Sequence, residues 1–231
     1  VNHLSPAVRS TWHELSDAGA LADALSHSMH DLASQILTEQ PTLLIGLAGG
    51  STPMAAYAKF ATMPLPWSRI ALTLIDERFV PVSDTQSNEK NIAAAFSAVK
   101  PQLAGWHGLM HDLMPIQQVT ALSNQEIQDM HRSLDIAVIG MGGDGHIASL
   151  FVESADYEQA IDVECDAAVV PIRFSASESK MDRISFSLAE LLKAKKILIC
   201  IAGDEKRRVL ENSLDGSRSD YAVAQLLKHY S

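Results

Sequence analysis

At 231 residues, 47% hydrophobic and 20% charged, the chain has room for one sizeable α/β domain or two small ones. Its 18 basic and 28 acidic residues give a net charge of −10 with no Lys/Arg-rich block, which argues against nucleic acid or an anionic membrane as the main partner but allows a small anion held by local cations and backbone amides. Cys165 and Cys200 stand in no Cys-x-x-Cys pair, the apolar run 197–202 is far too short to span a bilayer, and the start Val1-Asn2-His3-Leu4-Ser5-Pro6 lacks a basic segment followed by an apolar one, so a cytoplasmic location is expected.

In chain order, Leu21, Leu25, Leu32, Ile36 and Leu37 recur at helical spacing and predict an amphipathic helix over 20–37, ended before Pro41. A short apolar strand follows over 42–48. It breaks at Gly49-Gly50-Ser51-Thr52-Pro53, where Thr52 is expected to cap and Pro53 to open a helix reaching Phe60. A second buried strand covers 70–75, followed by Asp76-Glu77-Arg78-Phe79-Val80-Pro81, a polar loop to Asn88 and a short helix through Phe96. Further strands are expected over 135–139, 167–172 and 196–201, the last leading through Gly203 into a charged helix over 204–212. Residues 106–114 and 213–220 read as loops.

Apolar strands separated by helical segments imply an α/β fold: an open, mostly parallel twisted sheet with helices on both faces, Rossmann-like. No linker divides the chain, so residues 1–231 read as a single domain. In such sheets ligands bind outside the carboxyl ends of the strands. The turns at Gly49, Asp76 and Gly142 all follow strands and are expected to converge on one crevice.

Residues Gly49, Gly50, Ser51 and Thr52 offer backbone N–H groups at a helix start and two hydroxyls, which suits a phosphate; a plain strand-to-helix turn is the structural alternative. The loop lacks the Lys-[Ser/Thr] ending of a Walker A motif, and Pro53 stands where a nucleophile elbow carries its second glycine. Gly140, Gly142 and Gly145 satisfy Gly-x-Gly-x-x-Gly after a strand, but at least two strands precede it, and Asp144 and His146 crowd a turn where a pyrophosphate needs close backbone approach. His146 is the general-base candidate, with Asp144 or Asp76 as the acid that orients its ring, or else it merely caps a helix over 147–151. Arg173, Arg183 and Lys206 are candidate phosphate clamps, and at least one charge of Asp76-Glu77-Arg78 is expected to face the crevice, a structural ion pair being the alternative. His107 and His111 have metal-ligand spacing only in a helix; Gly105, Gly108 and Pro115 oppose one and no third ligand is near, so no metal site is expected.

Taken in order, Leu47-Ala48-Gly49-Gly50-Ser51-Thr52-Pro53, Asp76-Glu77-Arg78-Phe79-Val80 with Ser87-Asn88, and Gly140-Met141-Gly142-Gly143-Asp144-Gly145-His146-Ile147-Ala148-Ser149-Leu150-Phe151 resemble the 6-phosphogluconolactonase family. The match continues through Arg183-Ile184-Ser185-Phe186 and Gly203-Asp204-Glu205-Lys206. The wider superfamily includes glucosamine-6-phosphate deaminases, whose pattern carries a glutamate where this chain has Phe151 and lacks the arginine present here as Arg78. Departures from the lactonase pattern are Ala48 for Ser, Gly143 for an acidic residue or proline, Ile147 for Thr and Val152 for Pro.

The resemblance implies hydrolysis of 6-phospho-D-glucono-1,5-lactone to 6-phosphogluconate without a cofactor. It implies His146 as base, Asp144 or Asp76 as its orienting acid, a phosphate held by Gly49, Gly50, Ser51, Thr52, Arg183 and Lys206, and Arg78 and Asn88 facing substrate or oxyanion. The rivals are an amino-sugar-phosphate isomerase/deaminase, a non-catalytic sugar-phosphate sensor and, more distantly, a nicotinamide oxidoreductase. The expected partner is a small sugar phosphate, and the sequence assigns no oligomeric state.

Overall fold

The computed structural model describes residues 11–111, 114–175 and 180–230. Helix α1 (Ala18–Glu39) is capped by the Asp17 carboxylate, which accepts from Ala20 N at 2.9 Å, and it buries Ala22, Leu25, Met29, Ala33 and Leu37 along one stripe. Strand β1 (Leu43–Leu47) is buried throughout. The chain then forms α2 (Ser51–Phe60), β2 (Ile70–Leu74), β3 (Asp76–Arg78), α3 (Asn88–Ala95), β4 (Gly105–His107), α4 (Ile116–Asp129) and β5 (Ile136–Gly140). It ends with α5 (Tyr157–Ala160), β6 (Val169–Ile172), β7 (Arg183–Phe186), α6 (Leu188–Leu192), β8 (Lys196–Cys200), α7 (Asp204–Leu214) and α8 (Ala222–His229).

Five strands form a parallel sheet in the order β4-β2-β1-β5-β8. Strand β1 lies at its centre, with the chain running outward on one side to β2 and β4 before returning to the other side as β5. That reversal is a topological switch point, and the turns leaving β1 and β5 open a crevice between them. The central strands β1, β2 and β5 are apolar and almost wholly buried beneath the helices packed around the sheet, while the edge strands β4 and β8 are only partly covered.

A second sheet, antiparallel and three-stranded in the order β3-β7-β6, stands beside the first. Ile75 joins the two, because its N–H donates to Leu47 O at 3.1 Å while its carbonyl accepts from Phe186 N at 2.8 Å. The chain thus leaves the parallel sheet at Ile75 and enters the antiparallel one as Asp76-Glu77-Arg78, which places Asp76 and Arg78 at the crevice and turns Glu77 inward.

Several expectations need correction. The segment 167–172 is not a strand of the parallel sheet; it is the edge strand β6 of the second one, a place that tolerates Pro171, which has no N–H to donate. Residues 76–78 are a strand rather than a turn, and β4 runs into the start of the expected loop 106–114, of which 112 and 113 are outside the described residues. Helix α2 begins at Ser51, with Gly50 at φ 92° before it and no side-chain cap. Thr52 therefore does not cap it, and Pro53 occupies its third position, where an N–H has no intrahelical partner in any case. The expected leader-free start falls in residues 1–10, outside the described residues.

Candidate active site

The crevice outside the carboxyl ends of β1 and β5 has a volume of about 220 Å³. Its lining includes Gly49, Gly50, Ser51, Thr52, Asp76, Arg78, Asn88, His146, Arg183 and Lys206, which the sequence singles out from five separate segments. Asp144 does not line it but stands directly behind His146.

The turn after β5 folds the acid onto the imidazole. Asp144 Oδ1 lies 2.5 Å from His146 Nδ1, and the His146 ring packs on Phe151 with centroids 4.0 Å apart and planes at 32°. Residues 147–151 are not helical, and Ala148 takes φ 48°, so His146 caps no helix there. Gly142 has to be glycine, because a Cβ there would lie 2.2 Å from the His146 ring and 2.4 Å from Asp144 Oδ1. Burial raises the Asp144 pKa, but the hydrogen bond and charge of His146 outweigh it and hold the carboxyl at about 2. With Nδ1 bonded to a carboxylate, the donor tautomer leaves Nε2 with its lone pair.

Asp76 is engaged elsewhere. It accepts from Ser149 Oγ at 2.6 Å and from Asn88 Nδ2 at 3.3 Å, and Arg183 Nη1 lies 4.0 Å away. Burial pushes the Arg183 pKa down, with Asp76 opposing it. The Nε atoms of Arg78 and Arg183 and the Oδ1 of Asn88 are buried without a hydrogen-bond partner, all on residues that line the crevice. Orphaned donors and an acceptor in one crevice are the mark of a polar ligand's place. Asn88 lies folded over Gly49, where a Cβ would meet Asn88 Oδ1 at 1.9 Å.

Arg173 is a different case. Its backbone N and Nε donate to Asp156 at 2.8 and 3.0 Å, and it does not line the crevice, so of the two candidate arginines only Arg183 reaches it. His107 and His111 line a separate groove, where His111 Nε2 is 3.8 Å from Glu126. Among the described residues no group of three or more His, Cys, Asp or Glu side chains is arranged to hold a metal ion.

Sequence reasoning passed over Glu77. It is fully buried and accepts from Arg78 N at 2.6 Å, Asn88 N and Glu89 N at 2.7 Å, and Ser87 Oγ at 3.0 Å. Burial pushes its pKa up while these donors pull it back. The available signal was a charged residue set between a buried strand and a crevice residue on each side.

A parallel α/β sheet with an acid–imidazole pair and three cations gathered at its switch point defines the class as an α/β protein with a charged crevice outside its strand ends. Comparison with known proteins gives the family. The family model for glucosamine-6-phosphate isomerases/6-phosphogluconolactonase matches residues 16–229, and the chain belongs to that family. A 6-phosphogluconolactonase of Mesorhizobium japonicum is 30% identical over 203 residues, covering 88% of this chain and 84% of the relative. The crystal structure of a 6-phosphogluconolactonase from Thermotoga maritima is 27% identical with a TM-score of 0.77, covering 92% and 91% of the two chains. That of Shewanella baltica shares the fold at TM-score 0.85 and 22% identity, over 96% and 94%.

Proposed function

We propose that this chain, acting as one domain, hydrolyses 6-phospho-D-glucono-1,5-lactone to 6-phosphogluconate, the lactone-opening step of the oxidative pentose phosphate pathway, in the cytoplasm. The observation that carries the reading is the Asp144–His146 contact of 2.5 Å at the mouth of a crevice that also holds Arg78, Arg183 and Lys206. His146 Nε2 takes a proton from water as its oxygen bonds to the lactone carbonyl carbon. The carbonyl oxygen becomes negative, and Arg78 and Arg183, whose Nε donors have no partner, supply the positive field that it needs. The ring C–O bond then breaks and the imidazolium returns the proton to the departing oxygen. Asp144 stabilises the imidazolium between these steps. Gly49, Gly50, Ser51 and Thr52 at the uncapped start of α2, with Lys206, hold the phosphate and so position the carbonyl. Asn88 faces the sugar, and Asp76 orders Arg183.

The test is to generate the lactone with glucose-6-phosphate dehydrogenase and follow its decay with and without the protein, because the lactone also opens unaided. Faster decay is expected. Ammonia is measured on the same preparation with glucosamine 6-phosphate, and release there without any effect on lactone decay would transfer the chain to the other activity named for its family.

A further inference from the structure

We propose that Tyr221 is a positioning residue for the Asp144–His146 pair, acting through Gly145; the role rests on the hydrolytic reading above. Gly145 separates the acid from the imidazole and takes φ +79°. A Cβ built on it would lie 2.4 Å from Tyr221 Cγ and 2.6 Å from Cδ2, so the tyrosine ring sits directly against the glycine backbone. From the same segment, Val223 N donates to Gly145 O at 3.1 Å. The turn is thus pinned by a ring on its Cα and an N–H on its carbonyl.

The turn needs an outside support. With Gly142, Gly143 and Gly145 among its residues it has little stiffness of its own, and besides the Asp144–His146 contacts its internal backbone hydrogen bonds are Gly142 N to His146 O at 2.9 Å and Gly145 N to Gly142 O at 3.2 Å. The support is itself anchored. Tyr157 Oη donates to Asp220 O at 2.6 Å, and Arg218 donates to the Asp220 carboxylate at 3.0 and 2.9 Å. The Arg218 guanidinium lies 3.9 Å from the centroid of the Tyr221 ring, on a residue followed by the fully buried Ala222 and Val223. Tyr221 does not line the crevice. Its effect therefore falls on where His146 stands and not on how tightly substrate is held.

The experiment measures kcat and KM for lactone opening in the wild type, Tyr221→Phe, Tyr221→Ala and Arg218→Ala, with amide hydrogen exchange across residues 142–146 and thermal melting on each. Tyr221→Phe keeps the ring and is expected to hold both constants within about twofold, whereas Tyr221→Ala lowers kcat about 10- to 100-fold with KM within about twofold. Exchange at Gly145 and His146 speeds up in the alanine variant and not in the phenylalanine one. A kcat within about twofold of wild type in Tyr221→Ala, or a loss carried by KM, overturns the proposal. If Tyr221→Ala does not fold, Arg218→Ala decides, since its side chain is exposed: a kcat lowered about threefold at constant KM supports the role, and an unchanged kcat with unchanged exchange defeats it. A wild type that does not open the lactone refutes the hydrolytic reading, and the exchange data then still report whether Tyr221 fixes the turn.

Discussion

His146 is held on two sides and free on a third: Asp144 bonds its Nδ1, Phe151 lies on its face, and the crevice takes its remaining edge. If His146 is the base, as proposed, one fixed in this way is expected to matter for rate and little for binding. His146→Ala should lower kcat by ~10²–10⁴ while 6-phosphogluconate binds nearly as before, and near-native turnover in that variant would remove His146 from the mechanism. The acid beside it leaves a mark on stability. Because the folded Asp144 titrates at about 2 against an ordinary 3.8, its contribution is complete above 3.8 and is lost as pH falls through about 2. Solvent screens it, since 45% of the side chain is exposed, so the contribution is small. Urea unfolding of wild type and Asp144→Asn should therefore differ at about pH 5 and converge near the folded value. A gap that stays constant across this range would mean that the pair is not formed in solution.

At the scale of elements, the junction of β3 and α3 rests on one carboxylate. Glu77 satisfies three backbone N–H groups and the Ser87 hydroxyl, and two of those N–H groups belong to Arg78 and Asn88, which line the crevice. Glu77→Ala would leave these donors without their acceptor in a buried place, at a cost on the order of 3 kcal/mol or more. Denaturant unfolding reads that loss, and an unchanged midpoint would show that water replaces the carboxylate freely. None of this was legible in the sequence, because Glu77 finds its partners only once residues 87–89 fold back over it. The strands at 70–75 and 135–139 were legible as apolar runs, which is what burial on both faces produces, and 196–201 was legible by a similar run although its edge place leaves it only partly buried. Helix α4 was not, since its buried stripe of Ile116, Val119, Thr120, Ser123 and Ile127 includes two hydroxyl residues that blunt the apolar period. Strand β7 was missed for another reason: on one side it pairs with residues more than a hundred positions earlier in the chain, and four residues carry no period of their own. In the site, turns that follow strands named the residues, but whether Asp144 or Asp76 meets the imidazole depended on how the Gly142–Gly145 turn closes.

Over the whole molecule the charge is −10, yet the crevice collects Arg78, Arg183 and Lys206, and these two facts pull an anionic substrate in opposite directions. Distance decides between them. At physiological ionic strength the Debye length is about 8 Å, so acids spread over the surface are already screened at the crevice, whereas a cation in contact with phosphate acts inside that length. The local cations are therefore expected to dominate, and added salt should raise KM for the phosphorylated lactone. Removing one of them should both raise KM and flatten its dependence on salt, so Lys206→Ala is predicted to bind the phosphorylated lactone more weakly while barely changing the reaction of unphosphorylated gluconolactone, which is itself expected to be a poor substrate. Initial rates for both lactones across a salt series, in wild type and Lys206→Ala, measure this. If salt instead lowers KM in the wild type, the net charge governs the encounter. If Lys206→Ala weakens both lactones equally, Lys206 serves the turn around it rather than the phosphate.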